Sequence, residues 1–238
     1  MTDPALVETL RTQGCVVLPQ RVDRALVGAA LAAINADLGC NGLDPAELDR
    51  FKNKTFCPGI IARPEITALF GGPVADFVRD YVGATETHGV QIALRFPGDT
   101  GVPHIDGFYD DPHEDADTPN AVLGIYLTEV GPGDGPFVTW PDHVAAVERW
   151  ARGLPSIPKR NAPLSFATSI SSEPKPVHGP AGTAFLCHGV LPHMNALHRG
   201  AGIRYAVFRR YYAPRYADRD VWGMLKDRSL TCACLKPR

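Results

Sequence analysis

The chain has 238 residues, 45% of them hydrophobic and 21% charged, with a formal net charge of −2. That balance gives no electrostatic footprint for nucleic acid or an anionic membrane surface, and no apolar run reaches the ~20 residues of a membrane-spanning helix. Twenty-two prolines and 23 glycines argue against a helical bundle and for a turn-rich β protein with long loops. The six cysteines, Cys15, Cys40, Cys57, Cys187, Cys232 and Cys234, lack the spacing of a disulfide framework, and the first residues do not read as a signal peptide. Reduced thiols and a cytoplasmic protein are expected. Cys232 and Cys234 read as part of a loose tail rather than as metal ligands.

Apolar positions Ala5, Leu6 and Leu10 repeat at helical spacing over residues 4–13, and Cys15 to Pro19 then read as a short strand. Asp23 to Leu38 is rich in alanine and leucine and reads as an amphipathic helix with Asp23 as its N-cap. Short helices are expected to begin at Pro45 and Pro73, because proline suits the first helical turn. From residue 88 the pattern turns to strands, expected over 88–96, 121–129, 136–140, 174–178, 182–189 and 203–212. One helix, 142–152, interrupts them. No internal repeat is visible. The expectation is one mainly β domain over 1–238, with a helical N-terminal part (1–87), a β core (88–212) and a C-terminal tail (213–238).

Among the eight histidines, His104 stands two residues before Asp106, so on extended backbone both side chains point the same way. With His193 they make the two-histidine, one-carboxylate set of non-heme iron(II) oxygenases, which leaves coordination positions open. Taken alone, His104-Ile-Asp106 reads equally well as a hydrogen-bonded pair in a turn, since Pro103 and Gly107 flank it. Three histidines compete for the last ligand position. His198 falls in a polar turn and reads as a solvated loop residue, and His188 continues an apolar strand as a core histidine. His193, at a strand end after Pro192, is the candidate. Gly202 to Phe208 reads as a returning antiparallel strand. If it pairs with the strand before it, Arg204 comes back alongside His193, where its planar guanidinium could grip a carboxylate.

With these residues in place, the chain resembles the phytanoyl-CoA dioxygenase superfamily of iron(II)- and 2-oxoglutarate-dependent oxygenases. The resemblance covers most of the chain. Leu10 to Pro19 with the following helix is similar to the family's opening, and His104-Ile-Asp106 to its first two iron ligands. Gly135 to His143 looks like its "Asn-Gly-Pro…Pro-Gly-Ser-His" element, shortened by one residue. Phe185 to His193, with Arg204 eleven positions on, resembles the third ligand and the arginine that holds 2-oxoglutarate. His188 aligns with a family histidine that is not a ligand.

The resemblance implies a double-stranded β-helix (jelly roll, cupin-like) core with the N-terminal helices packed outside. It implies iron(II), 2-oxoglutarate and oxygen as metal and co-substrates, with succinate and carbon dioxide released as a substrate C–H bond is oxidised. Gln91 and Asn195 match positions where relatives contact the co-substrate. Halogenating relatives lack the carboxylate ligand, so Asp106 implies hydroxylation or a related oxidation. The substrate is expected to be a small molecule. Phe108 and Tyr109 lie nearest the triplet and are expected to line its pocket, and Arg95, which shares strand parity with Gln91, to face inward toward an anionic group. Asp110, Asp111, Glu114, Asp115 and Asp117 read as a solvated acidic loop rather than a cover for a cationic substrate. The Pro-rich stretch 154–180 reads as part of a lid. The competing readings are a cupin-type isomerase or hydrolase with another metal, which needs no Arg204 clamp, and a non-catalytic β-helix binding module. No Gly-x-Ser-x-Gly elbow supports a serine hydrolase.

Overall fold

A computed structural model describes residues 3–41, 55–82, 86–87, 89–106, 121–141, 172–189 and 191–212. The helices expected at Pro45 and over 142–152, the acidic loop with Phe108 and Tyr109, residues 154–171 of the Pro-rich stretch and the tail with Cys232 and Cys234 lie outside the described residues.

The N-terminal helices follow from local signals. Helix α1 (Pro4–Gln13) starts at Asp3, whose carboxylate accepts from the Ala5 N–H at 2.9 Å. It stops at Gly14, whose φ of 70° suits a residue without Cβ and whose N–H bonds back to the Leu10 carbonyl. Strand β1 (Cys15–Val17) follows. Helix α2 (Arg24–Asn41) is capped by Asp23 through the Ala25 N–H at 2.7 Å. Helices α3 (Pro64–Thr67) and α4 (Gly72–Val82) both carry proline in their first turn; the first was not expected from the sequence. Among the described residues, no helix is long and apolar enough to cross a membrane.

Two antiparallel sheets make the core. The larger joins β1, β7 (Ala184–His188), β4 (Ala121–Tyr126), β9 (Arg204–Tyr212) and β2 (Glu86–Thr87) in that order, and β3 (Gln91–Arg95) also pairs with β9. The smaller runs β6 (Lys175–Val177), β5 (Phe137–Thr139), β8 (His193–Asn195). This corrects the expected hairpin. Strand β9 does not pair with the strand before it in sequence but with β4 on one edge and with β2 and β3 on the other, while β8 joins the opposite sheet. The expected strands 182–189 and 203–212 leave out β8 as a separate strand because three residues, His-Met-Asn, carry almost no strand signal of their own.

Strand alternation divides the large sheet into two faces. Ile92, Leu94, Leu123, Ile125, Ala184, Leu186 and Val207 pack outward against Val27, Ala30, Ile34, Ile66, Leu69 and Val74 of the helices. Ala93, Val122, Tyr126, Phe185, Cys187, Ala206 and Phe208 face inward and meet Phe137, Val177 and Leu191 between the sheets. All six residues of β4 are therefore buried, which explains its continuous apolar sequence. Gly124 sits at its centre, opposite Phe185 on one neighbour and Phe208 on the other. A Cβ there would lie 2.3 Å from the Phe185 ring and 2.8 Å from that of Phe208, so the glycine is the space into which both aromatics lean. Gly124→Ala is expected to cost ~1–3 kcal/mol of unfolding free energy by overpacking. Gly28→Ala, on the exposed face of α2 with open space around its Cα, is expected to stabilise by roughly 0.5–1 kcal/mol. Urea melts of both variants check the contrast, and equal effects would refute this account of Gly124.

Candidate active site

His104 and His193 face each other across an antiparallel bridge. The His104 N–H donates to the His193 carbonyl at 3.0 Å and the His193 N–H to the His104 carbonyl at 2.9 Å. The same short run of backbone continues to Gly101, whose N–H donates to the Asn195 carbonyl at 2.8 Å. The His104 segment thus extends the small sheet beyond β8 by a few residues rather than forming a full strand. Asp106 follows in the turn, and its Oδ1 lies 3.6 Å from His104 Nε2 and 3.7 Å from His193 Nε2. One ligand atom from each of the three falls within 4.8 Å of the others, a cluster able to hold a metal ion.

Hydrogen bonds fix which nitrogen each imidazole offers. His104 Nδ1 is 2.8 Å from the Val102 carbonyl and His193 Nδ1 is 2.9 Å from that of Leu191. A carbonyl only accepts, so Nδ1 carries the proton in both rings and Nε2 is the nitrogen that each turns toward Asp106. Phe137 stacks on His193 at 4.9 Å between centroids and holds its plane. Burial, reinforced by the charge of His104, pushes the His193 pKa down to about 4, so this ring is neutral at ordinary pH. Burial also works against a charged His104, but the hydrogen bond and charge of Asp106 prevail and raise its pKa.

Asp106 owes its ionisation to a residue that the sequence reading did not single out. Burial pushes its carboxyl upward, yet the Arg210 guanidinium, helped by both histidines, holds it well below the usual carboxylate range. Arg210 donates from Nε to Asp106 Oδ2 at 2.9 Å, with Nη2 in ion-pair contact with the same oxygen at 2.9 Å, and from Nη1 to Gln91 Oε1 at 3.2 Å. Oδ2 is thereby occupied and Oδ1 is left toward the imidazoles. The signal was present in the alternation of β9, since Arg210 continues the inward face of Arg204, Ala206 and Phe208.

Arg204 lies at the other end of that face with 1% of its surface exposed. Its Nη2 donates to Asn195 Oδ1 at 2.7 Å, but Nε and Nη1 are buried without a partner. Its carbon Cζ stands 5.8 Å from the Tyr126 ring centroid, and the Tyr126 hydroxyl is itself committed to the Val177 carbonyl and the Phe137 N–H. Burial pulls the Arg204 pKa down to about 10, which leaves it charged. Arg95 is its register partner on β3, and its like charge adds to the lowering of the Arg204 pKa. Gln91, four residues earlier on β3, is at the metal-cluster end through Arg210.

The remaining expected positions separate clearly. His188 is buried and shares its strand parity with Leu186, which faces the helices, so it turns away from the cluster. His198 is not solvated as its polar turn suggested. It is 3% exposed, with Nε2 at 2.7 Å from the Gly202 carbonyl and Nδ1 accepting from the Gly200 N–H. A turn rich in Gly and Arg hides a buried histidine because the ring ties the turn's own backbone together. Phe108 and Tyr109 lie outside the described residues.

No protein-family model matches the sequence, and no curated protein matches it. Solved structures do match in fold. HygX from Streptomyces hygroscopicus, with nickel and 2-oxoglutarate bound, superposes with a TM-score of 0.63 at 16% identity, over 89% of this chain and 87% of that one. SnoK, a non-heme alpha-ketoglutarate-dependent carbocyclase from nogalamycin biosynthesis, gives 0.62 at 16% identity, over 88% of this chain and 83% of that one. EctD from S. alaskensis, in its apoform, gives 0.60 at 20% identity, over 89% and 77%. The two facing antiparallel sheets described above are thus the double-stranded β-helix core found in non-heme iron, 2-oxoglutarate-dependent oxygenases.

Proposed function

We propose that the protein is an iron(II)- and 2-oxoglutarate-dependent dioxygenase that oxidises a C–H bond of a small organic substrate. The observation that carries this reading is Arg204. A fully buried guanidinium with two unanswered donors is costly unless an anion completes it. The terminal carboxylate of a dicarboxylate carries the opposite charge and accepts N–H bonds, so it can answer a donor that the chain leaves open.

The residues fit the metal as well as the anion. The Nε2 atoms of His193 and of His104, which would give up its Nε2 proton to the metal, make with Asp106 Oδ1 a donor set suited to iron(II). Held there, iron(II) would supply the oxidative chemistry in which 2-oxoglutarate and oxygen are consumed, succinate and carbon dioxide are released and a substrate C–H bond is oxidised. The work of the chain itself is to hold and orient. Nδ1–H bonds to Val102 and Leu191 fix both imidazole planes, Arg210 keeps Asp106 ionised and turned, and Asn195 positions the Arg204 fork. Gln91 and Asn195 are assigned to the co-substrate, and Arg95, Phe108 and Tyr109 to the substrate. With Asp106 present, hydroxylation or a related oxidation is favoured over halogenation. A cytoplasmic setting belongs to the same reading and accords with the free thiols of Cys15, Cys57 and Cys187.

Anaerobic titration with iron(II) and 2-oxoglutarate is expected to develop the visible metal-to-ligand band, and Arg204→Gln to raise the 2-oxoglutarate concentration for half-saturation by about 100-fold or more. A wild-type protein without the band, or a variant that saturates like wild type, would overturn the reading. Two further variants address the metal. Asp106→Ala is expected to abolish succinate release coupled to substrate oxidation; full activity would remove the triad assignment. Arg210→Met unties Oδ2 and lets burial raise the Asp106 carboxyl, which outweighs the relief of repulsion between Arg210 and the metal. Its iron(II) affinity, measured anaerobically by calorimetry, is expected to fall roughly 10- to 100-fold. An unchanged affinity would show that Arg210 plays no part in presenting Asp106.

A further inference from the structure

Cys15 and Cys187 lie 172 residues apart in sequence and directly opposite one another in space. They are register partners on the antiparallel pair β1 and β7, and the Cys187 thiol donates to the Cys15 sulfur at 3.1 Å. Cross-strand partners in an antiparallel ladder have Cα atoms roughly 4.5–5.5 Å apart, which falls inside the range a disulfide spans. Closing from the present contact to a bond of about 2.05 Å needs an approach of about 1 Å, within reach of a small side-chain rotation. The two thiols differ in access. Cys187 is buried on the inward face among Val122, Tyr126, Phe185 and Phe208. Cys15 is half-buried at the start of a three-residue strand on the outer edge of the large sheet, where a small oxidant can arrive.

We propose that Cys15 and Cys187 form a reversible dithiol–disulfide site that takes a peroxide as its oxidant and a small dithiol as its reductant. The Cys15 sulfur, on losing its proton, attacks one peroxide oxygen. The O–O bond breaks, and the departing hydroxide takes up a proton to leave as water. Cys15 then carries a sulfenic acid, and the Cys187 sulfur attacks the Cys15 sulfur. The S–O bond breaks, a second water leaves with the Cys187 proton, and the disulfide is formed. Two thiols have lost two electrons to one peroxide. A small dithiol returns the two electrons and two protons by exchange and becomes a disulfide itself. Burial and the neighbouring Cys15 push the Cys187 thiol up, which suits the resolving position rather than the first attack. Cys57 is the internal contrast. It is buried, and burial together with Asp37 pushes its thiol up to about 12, so it has neither access nor thiolate character. The charge of Asp106 also reaches Cys187 and helps to push its thiol up, but neither thiol needs the metal or 2-oxoglutarate to form the bond.

The test uses the full chain, reduced, freed of reductant and treated with hydrogen peroxide, then alkylated with iodoacetamide, digested and mapped without reduction. The expected product is a peptide joining Cys15 to Cys187, with two of the six thiols consumed and both restored by dithiothreitol. Cys57 should be recovered unoxidised. In Cys187→Ser, Cys15 should stop at the sulfenic acid and be trapped by dimedone. The proposal is overturned if wild-type Cys15 is recovered as free thiol, as sulfinic or sulfonic acid, or joined to Cys40, Cys232 or Cys234. The wild-type map decides the matter alone should the serine variant fail to fold.

Discussion

Two guanidinium groups enter the protein interior on one strand, and the candidate site is organised by how each is answered. Arg204 and Arg210 share the inward face of β9, Arg204 wholly buried at its start and Arg210 partly exposed farther along. Arg210 is answered from within the chain by Asp106 and Gln91. Arg204 is answered only in part, by Asn195. A buried, incompletely paired charge is destabilising in isolation, and its place at the start of β9 is what supports the proposed anion site.

The small sheet supplies the complement. The reciprocal backbone bonds between His104 and His193 set two imidazoles side by side, and each ring is locked by a carbonyl two residues earlier in its own chain. Ligand presentation therefore depends on local backbone geometry, while ligand ionisation depends on a long-range contact from Arg210. The aromatic cluster of Phe137, Phe185 and Phe208 around Gly124 ties the two sheets together, and Phe137 carries that packing directly to His193. Stability of the inter-sheet core and orientation of the site are thus the same set of contacts.

Much of this was legible in the sequence because the signals were local. Asp23 as a cap, the long helix after it, the apolar run of β4 and the parity of Arg204 with Phe208 all follow from neighbours in the chain. The spacing of His104 and Asp106 was legible too, although the reason they converge is a turn after a two-residue bridge rather than a regular strand. What the chain concealed was pairing. Nothing near residue 204 says that β9 will lie between β4 and β3, or that β8 will cross to the other sheet. The partnership of Arg210 with Asp106 spans 104 residues, and the burial of His198 depends on a turn folding back on its own ring. Each is a tertiary choice with no periodicity to announce it.

The most direct measurement of the central claim is a crystal structure of the protein grown anaerobically with manganese(II), as a redox-inert substitute for iron(II), and 2-oxoglutarate. The account predicts the metal on His104 Nε2, His193 Nε2 and Asp106 Oδ1, with the far carboxylate of 2-oxoglutarate accepting from Arg204 through a donor that now lacks a partner. A metal bound through other residues, or 2-oxoglutarate bound away from Arg204, would contradict it.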